Sequence, residues 1–228
     1  MNKLLITCVF FLVSMGITAQ ETDCPVMDQA VRLTHEGKLK ESIPLFTQAI
    51  QQFPNRVEYR IARAYANDEL GAWKEAFDDY SMGIKMDPSN VDYFFLRGVL
   101  DFKMNLLSLA QADLLKTISM EPSNADAYFV LGKVAWKKKQ FKSAEKWFRK
   151  TLTQSKGHVD ALCGLAILAA QKKQWLKAKS LIARAKKSEY TIEWLHEFEL
   201  KLQQQALAEA NQLWFKQSMP PQLNLEGI

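Results

Sequence analysis

Met86–Gly98 reads MDPSNVDYFFLRG, and Met120–Gly132 reads MEPSNADAYFVLG. The two stretches begin 34 residues apart and share a Met, an acid, Pro-Ser-Asn, an Asp, an aromatic patch and a Gly. Carrying the interval outward keeps the character of whole columns. Ala30, Ala64, Gly98, Gly132 and Ala166 are small, as are Ser42, Ala76, Ala110, Ala144 and Ala178. Leu39, Trp73, Leu107, Phe141 and Trp175 are large and apolar, and so are Phe46, Tyr80, Leu114, Phe148 and Ile182. A fixed period of this length is the mark of one supersecondary unit stacked on copies of itself.

Each unit reads as two helices. The first starts after the Pro-Ser-Asn turn, as in Val91–Lys103, and the second runs from about Leu107 to Met120. Proline cannot continue a helix and pushes the residue before it out of the helical region, so Pro88 and Pro122 mark stops. Asn90 and Asn124 are placed to cap the helices that follow. The small columns have a steric cause. Paired helices about 8–10 Å apart need small side chains where their backbones approach, which pairs Gly98 with Ala110 and Gly132 with Ala144. The bulky columns then fill the flanking space and pack on the next unit. Replacing Ala144 by Leu should overpack the contact at a cost of about 1–3 kcal/mol.

The sequence resembles the tetratricopeptide-repeat (TPR) family. The family's order of small, small, aromatic and Pro is matched by Gly98, Ala110, Leu114 and Pro122, and again by Gly132, Ala144 and Phe148. The resemblance covers Thr22 to Thr191 and implies an all-α, right-handed α-solenoid of about five helical hairpins, at 22–56, 57–90, 91–124, 125–158 and 159–191. Ser42 stands where Ala is usual, and the last two units lack the Pro. The period breaks after Tyr190. Residues 192–217 contain no Gly or Pro and read as a capping helix that covers the open end of the stack with Leu195, Phe198 and Leu202. Residues 218–228 read as an extended tail.

Ahead of the repeats, Lys3 precedes an apolar run from Leu4 to Ile17, followed by Thr-Ala-Gln and an acidic stretch. This is the pattern of a secretory signal peptide over 1–20, cut near Ala19 or Gln20. The expected destination is the periplasm or cell envelope. Nine Gly and seven Pro are few for an all-β chain. Cys24 and Cys163 are too distant to form a disulfide framework, and His35, His158 and His196 are isolated. No zinc spacing, nucleophile elbow or phosphate-cradling glycine loop occurs. The expectation is a non-enzymatic protein without cofactor or metal.

By the resemblance, the inward face of each unit's first helix contacts ligands. The matching positions include Met27, Val31, Ile61, Tyr65, Phe95, Val99, Phe102, Phe129, Lys133, Trp136, Cys163 and Ile167. This face is apolar and aromatic, and it suits a segment or amphipathic helix of a partner protein. The other reading is that these side chains pack between units, or that the C-terminal tail fills the groove. Glu58, Asp92, Asp126 and Asp160 form an acidic ladder, read either as complements to helix dipoles or as a rim for a basic partner. Charge is uneven: residues 21–132 hold 11 Lys/Arg against 17 Asp/Glu, and residues 133–187 hold 16 against 2. Lys137, Lys138, Lys139, Lys172 and Lys173 head this basic region. It reads as a solvated face, or as a dock for anionic lipid or cell-wall polymer. Export argues against nucleic acid.

Overall fold

The computed structural model describes residues 24–187, 193–204 and 207–217. The expected signal peptide and the extended tail lie outside the described residues. Among these residues there are twelve α-helices and no strand. In chain order they are α1 (Pro25–His35), α2 (Leu39–Gln52), α3 (Val57–Glu69), α4 (Trp73–Met86), α5 (Val91–Lys103), α6 (Leu107–Met120), α7 (Ala125–Lys137), α8 (Phe141–Gln154), α9 (Val159–Gln171), α10 (Trp175–Ala185), α11 (Glu193–Gln203) and α12 (Leu207–Gln217). From α3 to α9 the lengths alternate between 13 and 14 residues, and with the two short turns between them they make up the period.

The turns inside each hairpin follow one plan. The chain closes on a left-handed residue, and the next backbone N–H reaches back to a carbonyl five residues earlier: Lys38 to Leu33, Ala72 to Asn67, Leu106 to Asp101, Gln140 to Ala135 and Gln174 to Ala169. This satisfies a carbonyl that the ending helix leaves open. Between hairpins the caps are on the other end. Asn90 Oδ1 accepts from Asp92 N and Asn124 Oδ1 from Ala127 N, both at 2.9 Å. His158, one interval further on, does the same with Nδ1, accepting from Ala161 N at 3.3 Å.

The described residues fall into two compact units, 24–106 and 107–217. In unit one, α1 and α2 pair, α3 packs on α2, and α3 and α4 pair with α5 added. One apolar cluster joins Met27, Ala30, Phe46, Ala49 and Ala62; a second joins Ile61, Ala64, Ala76, Tyr80, Tyr93 and Leu100. In unit two, α6 through α10 pack in sequence, and α11 and α12 form a further pair. The two small columns and the Phe46-to-Ile182 column are buried throughout.

Four expectations need correction. The column from Leu39 to Trp175 does not pack fully: Trp73 and Phe141 are 41% and 40% exposed, because they sit at the hairpin tips. Gly132 makes room for an aromatic ring, since a Cβ there would stand 2.3 Å from Phe148 Cε1, nearer than anything of Ala144. The single capping helix over 192–217 is two helices. The stripe Leu195, Phe198, Leu202 and the pair Ala210, Trp214 are buried on separate segments that pack against each other. Lastly, not every Pro stops a helix: Pro44 lies inside α2 with its ring exposed.

Candidate interaction surfaces

The expected groove residues divide between the units. In unit one, Ile61, Val99 and Phe102 are buried, while Tyr65 and Phe95 are half-buried. Burial, with Glu69 and Asp68 nearby, raises the Tyr65 hydroxyl to about 12. Behind this face a polar clamp spans three helices. Arg63 of α3 donates from Nε and Nη2 to the two oxygens of buried Asp79 on α4, each at 2.8 Å, and from Nη1 to Thr47 Oγ1 on α2 at 3.0 Å. The ion pair raises the guanidinium pKa further. Two parallel bonds to one carboxylate hold geometry as well as charge. Sequence reasoning missed this clamp, although Arg63 and Arg97 lie one interval apart and Arg97 Nη1 donates to Ser81 Oγ at 3.1 Å in the equivalent way.

In unit two the same face is covered. Phe129, Lys133 and Trp136 of α7 are buried, Lys133 completely. The cover is α12. Trp214 lies 5.1 Å from Trp136, 5.6 Å from Phe148 and 6.5 Å from Phe129, ring centre to ring centre. Its Nε1 donates to the Asp160 carbonyl of α9 at 2.9 Å. Gly164 of α9 leaves space for it, since a Cβ there would be 2.9 Å from Trp214 Cζ2. The Lys133 ammonium faces three rings, with Phe215 at 5.1 Å, Phe129 at 5.7 Å and Trp214 at 5.8 Å. Burial lowers its pKa to about 7 against the opposing pull of Asp160. The Asp160 carboxyl is itself raised by burial. The sequence did offer a signal: Trp214 and Phe215 stand side by side near the end of the segment.

The basic residues lie where expected, in and beside the hairpin turns. Lys137, Lys139, Lys172 and Lys173 are exposed and Lys138 is half-buried. Lys138 Nζ donates to Gln111 Oε1, and Lys172 Nζ to Glu145 Oε2, both at 2.7 Å. Hydrogen bonds from Lys172 and Arg149 bring the Glu145 carboxyl down to about 2. Cys24 and Cys163 are both buried thiols, and burial pushes the Cys163 thiol well up. Among the described residues no group of His, Cys, Asp and Glu is placed to hold a metal, and no helix is long and apolar enough to cross a membrane.

The sequence model of the tetratricopeptide repeat matches residues 28–91 and 95–159, together more than half of the chain. The chain belongs to the tetratricopeptide-repeat family. Solved TPR-like structures agree in fold. MamA from Desulfovibrio magneticus RS-1 is 16% identical with a TM-score of 0.65, over 73% of this chain and 96% of that one. YrrB, described as a TPR protein with an unusual peptide-binding site, is 20% identical with a TM-score of 0.57, over 75% and 89%. Pseudomonas aeruginosa PilF is 14% identical with a TM-score of 0.68, over 84% and 86%. No curated protein matches significantly. Within this TPR chain the acidic ladder occupies the first turns of α3, α5, α7 and α9. Asp126 there also meets His158 Nε2 at 3.4 Å.

Proposed function

We propose that the chain is a non-catalytic, exported scaffold that holds a helical segment of another protein on the first-helix face of its repeats. One observation carries the reading. In unit two that face already holds a helix: α12 seats an aromatic pair over Phe129, Lys133 and Trp136. Phe95 and Val99 occupy the same columns as Phe129 and Lys133, and Phe95 is left half-exposed, as is Tyr65. A partner helix with aromatic anchors would dock on Tyr65 and Phe95 as α12 docks on its own seat, by the helix-in-groove mode. The peptide-binding site ascribed to YrrB gives the same kind of role to a similar fold. Export, to the periplasm or cell envelope, rests on the Lys3 and Leu4–Ile17 pattern.

The test is photo-crosslinking in the native cell from a benzophenone residue beside Phe95. A defined crosslinked protein is expected, and the double substitution Tyr65→Ala, Phe95→Ala should abolish its capture at any salt concentration. Capture that persists in the double variant, or that disappears with salt alone, would reject the role.

A further inference from the structure

The turn edge of unit two carries features that packing does not call for. The left-handed residue of the hairpin turns recurs on the repeat interval: Gly37, Gly71 and Asn105, then Lys139 and Lys173 with φ of 59° and 58°. Glycine adopts this conformation freely and asparagine tolerably, whereas a lysine Cβ crowds the following carbonyl. Two successive turns therefore hold a cation where the same turn elsewhere holds a residue that suits the backbone.

Leu176 follows the Lys173 turn and Leu109 follows the Asn105 turn, each an apolar side chain in a polar column. Leu176 is 87% exposed, the most of any large hydrophobic among the described residues, and its column otherwise reads Lys40, Lys74, Ser108 and Lys142. Leu109 is 53% exposed in a column of Glu41, Glu75, Ser143 and Lys177. The tips adjoin one another. Lys138 reaches Gln111 on α6, and Lys172 and Lys177 reach Glu145 on α8 at 2.7 and 3.9 Å. Only Glu145 and Asp160 are acidic between residues 133 and 187, so the edge is strongly positive.

We propose that this edge docks on an anionic phospholipid bilayer, with Lys139 and Lys173 meeting headgroup phosphates and Leu176 entering the interface. A soluble polyanion would use the lysines but has no place for a leucine held in water among them. A bilayer takes both, because its surface is charged and the layer beneath is apolar. The proposal stands apart from the helix-holding role, since it uses the turn edge and not the first-helix face.

Flotation of the full chain with phosphatidylcholine vesicles, with and without phosphatidylglycerol, tests it. The apolar stretch Leu4–Ile17 is common to every variant, so its contribution cancels in the comparison. Phosphatidylglycerol should strengthen binding, and salt should reverse the gain. Each lysine near an anionic surface strengthens binding roughly fivefold, so Lys139→Gly with Lys173→Gly should weaken it about twenty-five-fold. The same pair should leave Tm unchanged or raise it, which separates lost docking from lost folding. Leu176→Ser should weaken vesicle binding about tenfold and leave capture of soluble polyglutamate unchanged. No preference for phosphatidylglycerol overturns the proposal. So does vesicle binding that Leu176→Ser does not alter, which would assign the edge to a polyanion.

Discussion

Arg63 spends three N–H groups on two neighbouring helices, and Asp79 has both oxygens engaged by it in a buried setting. Removing one partner of such a pair leaves the other without its counter-charge. Asp79→Ala leaves the half-buried Arg63 guanidinium without its two acceptors and should destabilise unit one by about 1–3 kcal/mol in urea unfolding, and Arg63→Lys should keep little of the clamp because lysine lacks the fork. Lys133 gives a prediction of the opposite kind. Its folded pKa is about 7, below the ordinary 10.5, because burial disfavours its charge. Between these values the unfolded chain binds a proton that the folded chain does not, so stability rises with pH across that window. The contribution is full above the ordinary lysine range and is lost as pH falls to about 7. The Asp160 charge opposes this shift and the Lys137 charge adds to it. Lys133→Met should flatten the rise in Tm with pH over the same window and raise Tm at its lower end.

At the scale of the element, α12 is the part whose role its own residues least announce. It is a short helix with only Ala210 and Trp214 buried, and an isolated helix of that length is marginal in water. Its stability comes from its seat. Trp214→Ala should cost about 3–5 kcal/mol in unit two, and it should shift the Lys133 pKa back toward the ordinary value by admitting water; NMR titration of the Lys133 ammonium reads the second effect. The hairpin contact between α7 and α8 makes a sharper steric demand. Gly132→Ala would drive a Cβ to 2.3 Å from Phe148, whose ring is itself fixed by Trp136 and Trp214. The expected cost is about 1–3 kcal/mol, seen as a lower urea midpoint with an unchanged slope.

Over the whole molecule, the two described cysteines provide one probe for each unit. Cys24 is buried in unit one, and Cys163 is buried on α9 of unit two, against which α12 packs. Native-state alkylation with peptide mapping should find both slow. Trp214→Ala should speed labelling of Cys163 and leave Cys24 as it was; equal acceleration of both would show that the loss of α12 is felt outside unit two. Much of the architecture is legible without coordinates. The interval of 34, the small columns from Ala30 to Ala178, and the Asn90 and Asn124 caps are local or periodic properties, and each acts within one hairpin or on its neighbour. The candidate surface is less so. The columns marked Phe95 and Phe129 as equivalent, yet one is half-exposed and the other is covered by a helix from the far end of unit two. The repeat fixes what each first helix presents. What covers it depends on contacts between residues more than fifty positions apart, such as Trp214 with the Asp160 carbonyl, and no period in the sequence encodes them. The placing of lysines at left-handed turn positions is likewise invisible in the column until the backbone angles are known, because a lysine carries no mark of the conformation it is held in.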